Sequence, residues 1–201
     1  MGESSKVGIS ASKVVALIGT LVLIRDSIFY FYTLSLIPIL LGVLGLIIAF
    51  VVFDSLEIID FKKLKVPYIW WVLLIIGCLL ILFEYLVDPS YLAGILVITA
   101  AVIEILSQKK EYVASKIVTL VGACWVIYES IMGILGSNYA TAIVGIIFGI
   151  VLLLTLFDKV DIKVPYTWWV VLIIGFVIFT WVSSVGGTII MVGFLLILMA
   201  F

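Results

Sequence analysis

The sequence predicts an all-α fold: a polytopic membrane helical bundle of eight transmembrane helices, arranged as two tandem, parallel four-helix repeats. Three observations predict it. Hydrophobic residues make up 66% of the chain and charged residues only 11%, with a mean hydropathy of +1.48. A soluble domain needs far more polar surface, so lipid must solvate most of this chain. One stretch also occurs twice: Lys65-Val66-Pro67-Tyr68-Ile69-Trp70-Trp71-Val72-Leu73-Leu74-Ile75-Ile76-Gly77 returns as Lys163-Val164-Pro165-Tyr166-Thr167-Trp168-Trp169-Val170-Val171-Leu172-Ile173-Ile174-Gly175, differing only at 69/167 and 73/171. Finally, the lysines (Lys6, Lys13, Lys62, Lys63, Lys65, Lys109, Lys110, Lys116, Lys159 and Lys163) fall on one side of an eight-helix scheme. The positive-inside rule then places both termini in the cytoplasm of a multi-pass cell-membrane protein.

Residues 1–12 read as a polar cytoplasmic tail. Residues 13–53 are almost continuously apolar, about twice the ~20 residues that one crossing needs. Ser35-Leu36-Ile37-Pro38 offers an N-cap and a first-turn proline, which splits the run into helices over 13–32 and 36–53. The charged segment 54–65 reads as a loop or a short surface helix. A third helix follows over 67–86, its lysine at the headgroups and its proline in the first turn, where a missing N–H costs nothing. Asp88-Pro89-Ser90 is a turn, because proline stops one helix while aspartate or serine caps the next. The fourth helix covers 91–106. The first repeat is thus 13–107, followed by a cytoplasmic linker over 108–114.

The second repeat, 115–201, runs in the same order. Helices are predicted over 115–134, 140–157, 165–182 and 188–201, with turns at Gly136-Ser137-Asn138 and Ser183-Ser184-Val185-Gly186-Gly187. Segment 14–24 has the composition of a signal peptide. However, Ala11-Ser12-Lys13-Val14-Val15 recurs mid-chain as Ala114-Ser115-Lys116-Ile117-Val118, which predicts a retained helix. Four helices per repeat is an even number, so both repeats enter the membrane in the same direction. The expected relation is a pseudo-twofold axis along the membrane normal.

Composition narrows the function classes. The net charge of −1 argues against a nucleic-acid partner, and there is no histidine. Cys78 and Cys124 sit within apolar runs at non-equivalent positions, so neither a metal site nor a cofactor is expected. No loop is long enough to hold a catalytic constellation, and no nucleophile–base pair is visible. An enzyme is not expected, and no catalytic residue is assigned.

Chemistry concentrates instead in an intramembrane charged cluster: Arg25, Asp26, Glu129 and Glu84. Asp26 and Glu129 are equivalent in the repeat, as are Arg25 and Tyr128. Counting at 1.5 Å per residue from the predicted turns puts Asp26 and Glu129 roughly 12–15 Å deep and Glu84 roughly 6–8 Å deep. A lipid-facing charge at mid-depth costs at least about 3 kcal/mol, so these groups are expected to face the bundle interior or a watered cavity. Arg25 and Asp26 point about 100° apart on a helix and are expected to satisfy each other poorly. Glu129 is the first candidate partner for Arg25 and Glu84 the second. Trp125, one turn from Glu129, and Tyr128 are candidates to line the same space. Glu104, near a helix end, reads as interfacial. Tyr68, Trp70, Trp71, Tyr166, Trp168 and Trp169 read as interface anchors. Gly145 and Gly149 have close-packing spacing, better suited to contacts inside the bundle than to a dimer face.

The repeated Lys-Val-Pro-Tyr-x-Trp-Trp-Val motif, set among glycine-rich apolar hairpins, resembles small archaeal-type multi-span membrane proteins of tandem four-helix repeats and unknown function. It is more loosely similar to the bacterial short-repeat acid-resistance membrane proteins. The resemblance covers most of the chain and implies a multi-span helical fold, with no catalytic residue to carry over.

The expected function is a non-enzymatic structural or accessory bundle, working among membrane lipids, in a larger membrane complex or as a homo-oligomer. The alternative is a small channel or cation/proton-coupled transporter using the charged cluster. A third reading is an anionic-lipid-interacting protein acting through its lysine loops.

Overall fold

The computed structural model describes residues 10–33, 35–58, 66–87, 91–107, 113–136, 138–156 and 166–199. Among these, all regular structure is helical: α1 (Ala11–Tyr30), a 3₁₀ turn (Phe31–Thr33), α2 (Leu36–Ser55), α3 (Trp70–Val87), α4 (Leu92–Ser107), α5 (Ala114–Leu135), α6 (Tyr139–Leu156), α7 (Trp168–Trp181) and α8 (Ser184–Leu198). The Asp88-Pro89-Ser90 turn, most of the tail and linker, the loops at 59–65 and 158–163, and most of the lysines used for orientation lie outside the described residues.

Five helices, Ala11–Thr33, Leu36–Ser55, Trp70–Val87, Ala114–Leu135 and Tyr139–Leu156, are long and apolar enough to cross a membrane. Helices α4, α7 and α8, with 16, 14 and 15 residues, are apolar but shorter. The chain divides into two compact units. The first holds α1 to α3 and α4 from Ala93 on; the second holds α5 to α8, and Tyr91 and Leu92 group with it.

Local chemistry explains most of the helix ends. Ser10 caps α1 through its side chain, accepting from the Lys13 N–H. Pro38 sits in the first turn of α2, where the backbone N–H groups have no partner inside the helix. Helix α2 closes with Glu57 in the left-handed region, φ 62°, and the Ile58 N–H returns to the Phe53 carbonyl, the pattern of a Schellman closure.

Three predicted starts are corrected. Helices α3 and α7 begin at Trp70 and Trp168, not at the prolines, and Val66 to Ile69 is non-helical. That extended lead-in carries Tyr68 to a partner on α1 described below. Helix α8 begins at Ser184, not at 188, because the Ser183 hydroxyl accepts the Gly186 N–H at 2.8 Å and caps it earlier. Gly186 and Gly187 therefore lie inside a helix, where they serve close packing and not a turn. A Cβ at Gly187 would collide with the Phe179 backbone of α7.

Within each unit, small residues set the helix spacing. In the first, a Cβ at Gly19 of α1 would lie 3.1 Å from Leu96 and Val97 of α4, one at Gly45 of α2 would meet the Ser27 hydroxyl of α1, and one at Gly77 of α3 would lie 3.0 Å from the Ile98 nitrogen of α4. In the second, a Cβ at Gly122 of α5 would lie 3.0 Å from the Ile190 nitrogen of α8, one at Gly145 of α6 would meet the Ser130 hydroxyl of α5, and one at Gly175 of α7 would lie 2.9 Å from Ile190. Gly145 and Gly149 both face α5, so their spacing serves packing within the unit. The second unit's apolar centre is formed by Ala123, Val126, Leu152, Val170, Val171, Ile174, Ile178 and Ile190.

Candidate functional site

Helix α1 carries Arg25 and Asp26 on consecutive residues. Asp26 is buried while the Arg25 side chain stays 66% exposed. The expectation that they leave each other unsatisfied is overturned. Arg25 Nη2 lies 2.7 Å from Asp26 Oδ1, and Nε donates to the same oxygen at 2.9 Å. The cause is side-chain length: a guanidinium can curl across the ~100° between neighbouring residues, although their Cβ atoms diverge. Arg25 is thus engaged on its own helix, and neither Glu129 nor Glu84 is needed to satisfy it. Glu84 is buried on α3, three residues before Val87, where α3 stops.

In the second unit the equivalent carboxylate, Glu129, has different company. Its Oε2 is buried without a hydrogen-bond partner among the described residues, as is Nε1 of Trp125 one turn earlier. Tyr128, where the first repeat has Arg25, lies beside Trp125 with ring centroids 5.5 Å apart and planes tilted by 48°. Tyr91 meets Trp125 edge-on at 6.1 Å and holds a left-handed backbone, φ 54°. An aromatic residue rarely takes that conformation, and such strain concentrates at functional sites. The structure thus brings Trp125, Tyr128 and Glu129 together on one flank of α5. The adjoining face, with Gly122, Ala123, Val126 and Ser130, is buried. Helix α5 ends at Leu135, six residues past Glu129, so the carboxylate's residue lies about 9 Å before that helix end.

A second constellation was missed from sequence. Tyr68 donates to Ser12 Oγ at 3.0 Å, Ser12 donates to Glu104 Oε2 at 2.5 Å, and the Lys13 ammonium sits 5.7 Å from the Tyr68 ring centroid. In the second unit, Tyr166 and Thr119 share a hydrogen bond at 3.0 Å, and Lys116 sits 5.9 Å from the Tyr166 ring centroid. Burial pushes the Tyr68 phenol above its ordinary value, against the hydrogen bond with Ser12 and with help from the Glu104 charge. Burial likewise raises Tyr166, against its hydrogen bonds with Thr119 and Ser115. These tyrosines are therefore internal ties, and of the expected anchors only Trp70, Trp71, Trp168 and Trp169 remain well exposed. The available signal was that Ala-Ser-Lys and Pro-Tyr recur in the same order in both halves. Glu104 belongs to the first tie; the second unit's last helix, Ser184–Leu198, carries no carboxylate.

Among the described residues, no group of three or more His, Cys, Asp or Glu gathers where a metal ion would need them. Cys78 and Cys124 are free thiols. Fold and site together define a helical bundle with several apolar spans. No family model, curated protein or solved structure matches the chain.

Proposed function

We propose that the chain is a multi-pass integral membrane protein of two tandem four-helix repeats with both termini cytoplasmic, serving as a non-enzymatic structural or accessory bundle among membrane lipids. The observation that carries this reading is the closure of Arg25 on Asp26 at 2.7 Å. A charge pair neutralised on one helix holds a fixed arrangement and adds specificity more than net stability. The repeat itself is supported by matched contacts: Gly45 on Ser27 and Gly145 on Ser130, Gly19 and Gly122 each on the last helix of its unit, and Lys13 and Lys116 each over a motif tyrosine.

One observation favours a second reading, a small channel or cation/proton-coupled carrier. Among the described residues Glu129 Oε2 is buried without a hydrogen-bond partner, and an intramembrane carboxylate in that condition suits a bound cation or proton. Proteoliposome flux of protons, Na⁺ and K⁺ separates the two. The structural reading expects equal flux in wild type, Glu129→Gln and empty vesicles. Flux in wild type that Glu129→Gln abolishes would replace it with the carrier reading.

A further inference from the structure

We infer that the flank of α5 formed by Trp125, Tyr128 and Glu129, with Tyr91 at its edge, binds a lipophilic organic cation of the quaternary ammonium or phosphonium class. This inference rests on the second reading and names its substrate class.

Three observations converge. The rings of Trp125 and Tyr128 stand 5.5 Å apart at an angle of 48°, and Tyr91 closes on Trp125 edge-on at 6.1 Å. Aromatic faces gathered in this way attract cations through the ring quadrupole, most strongly where water is excluded. Glu129 adds a formal negative charge on the same flank, with a buried oxygen that no hydrogen bond occupies among the described residues. The repeat supplies the third observation: where Asp26 has Arg25 beside it, Glu129 has Tyr128. The first unit therefore brings its own cation to the carboxylate, whereas the second brings a ring that would cradle one.

The same residues select the kind of cation. A hard ion such as Na⁺ or Ca²⁺ needs several oxygen ligands to replace its hydration shell, and this flank offers one carboxylate among rings. Ile131, Met132 and Leu135, which follow toward the end of α5, are exposed and apolar. A large cation with its charge spread under hydrocarbon loses little hydration on reaching such a place. Tyr128 is 50% exposed, so the site opens sideways from the unit and does not require a buried cavity.

The test is equilibrium dialysis of the full chain, purified in a non-ionic detergent, against tetraphenylphosphonium, with neutral triphenylphosphine oxide as comparator. Saturable binding of the phosphonium and none of the oxide is expected. Glu129→Gln and Tyr128→Leu should each weaken it by roughly tenfold, and Tyr128→Phe, which keeps the ring, should retain it. Because Tyr128 is exposed, Tyr128→Leu reads the site even where Glu129→Gln fails to fold. Equal binding of cation and oxide, wild-type binding in Tyr128→Leu, or no saturable phosphonium binding would overturn the inference. If phosphonium binding is absent while Glu129-dependent proton or Na⁺ flux persists, the substrate class falls and the carrier reading stands; if both are absent, both fall.

Discussion

Tyr68 donates its phenol proton to Ser12 at 3.0 Å across 56 residues of sequence. The bond ties the extended start of α3 to the first turn of α1, and Ser12 passes the link on to Glu104 of α4. Three helix ends of the first unit thus meet through one hydroxyl, and Tyr166 makes the corresponding tie to α5 through Thr119.

These ties predict a pH dependence. Burial raises both phenols, so folding favours their protonated forms. Below pH ~10 the folded and unfolded chains both keep the proton, and the contribution is intact. Above that pH the unfolded chain ionises first, and stability falls by at most about 1.4 kcal/mol per pH unit for each phenol until the folded-state group ionises too. Thermal unfolding in detergent between pH 9 and 12 should therefore be steeper for wild type than for Tyr68→Phe/Tyr166→Phe. Parallel slopes would show that the phenols do not carry the effect.

The glycine–serine contacts predict an asymmetric rescue. Gly45→Ala places a Cβ against the Ser27 hydroxyl and should cost about 1–3 kcal/mol. Adding Ser27→Ala should restore most of that, since the Ser27 Cβ lies at 3.4 Å from the new atom. Gly145→Ala should be equally costly, yet Ser130→Ala should rescue it less, because Val182 Cγ1 still lies at 2.6 Å. Melting temperatures of the two double-mutant cycles decide the matter; equal rescue would mean that Val182 simply moves aside.

Removing one half of the Arg25–Asp26 pair should hurt more than removing both. Arg25→Leu leaves the buried Asp26 without the guanidinium, at a cost of about 3 kcal/mol. Arg25→Leu/Asp26→Leu replaces the pair by apolar side chains and should recover much of the loss. Stability of the single and double variants in the same detergent provides the measurement. A double variant as weak as the single would assign Asp26 a structural role apart from Arg25.

The eight-crossing scheme predicts that reporters fused at the N-terminus, at the C-terminus and within the linker at 108–112 are all protected on the cytoplasmic side of intact cells. An extracellular signal from the linker alone would mean an odd number of crossings in the first half.

Helix existence and order were legible along the chain because apolar runs, prolines and caps are local signals: α2 begins after Ser35, α5 begins with the repeated Ala-Ser-Lys, and all eight predicted helices have a counterpart. Boundaries that depend on a distant partner were not legible. Nothing near Pro67 says that Tyr68 must stay extended to meet Ser12, and nothing near Gly186 says that its lack of a side chain admits α5 and not a turn. The site divides in the same way. Composition alone marked Arg25, Asp26, Glu84 and Glu129 as costly in lipid, since that cost belongs to the residue type. Helical spacing already grouped Trp125 and Tyr128 with Glu129; which neighbour satisfies each charge depends on side-chain reach, and only the folded chain decided that Arg25 closes on Asp26 and that Tyr91 joins Trp125.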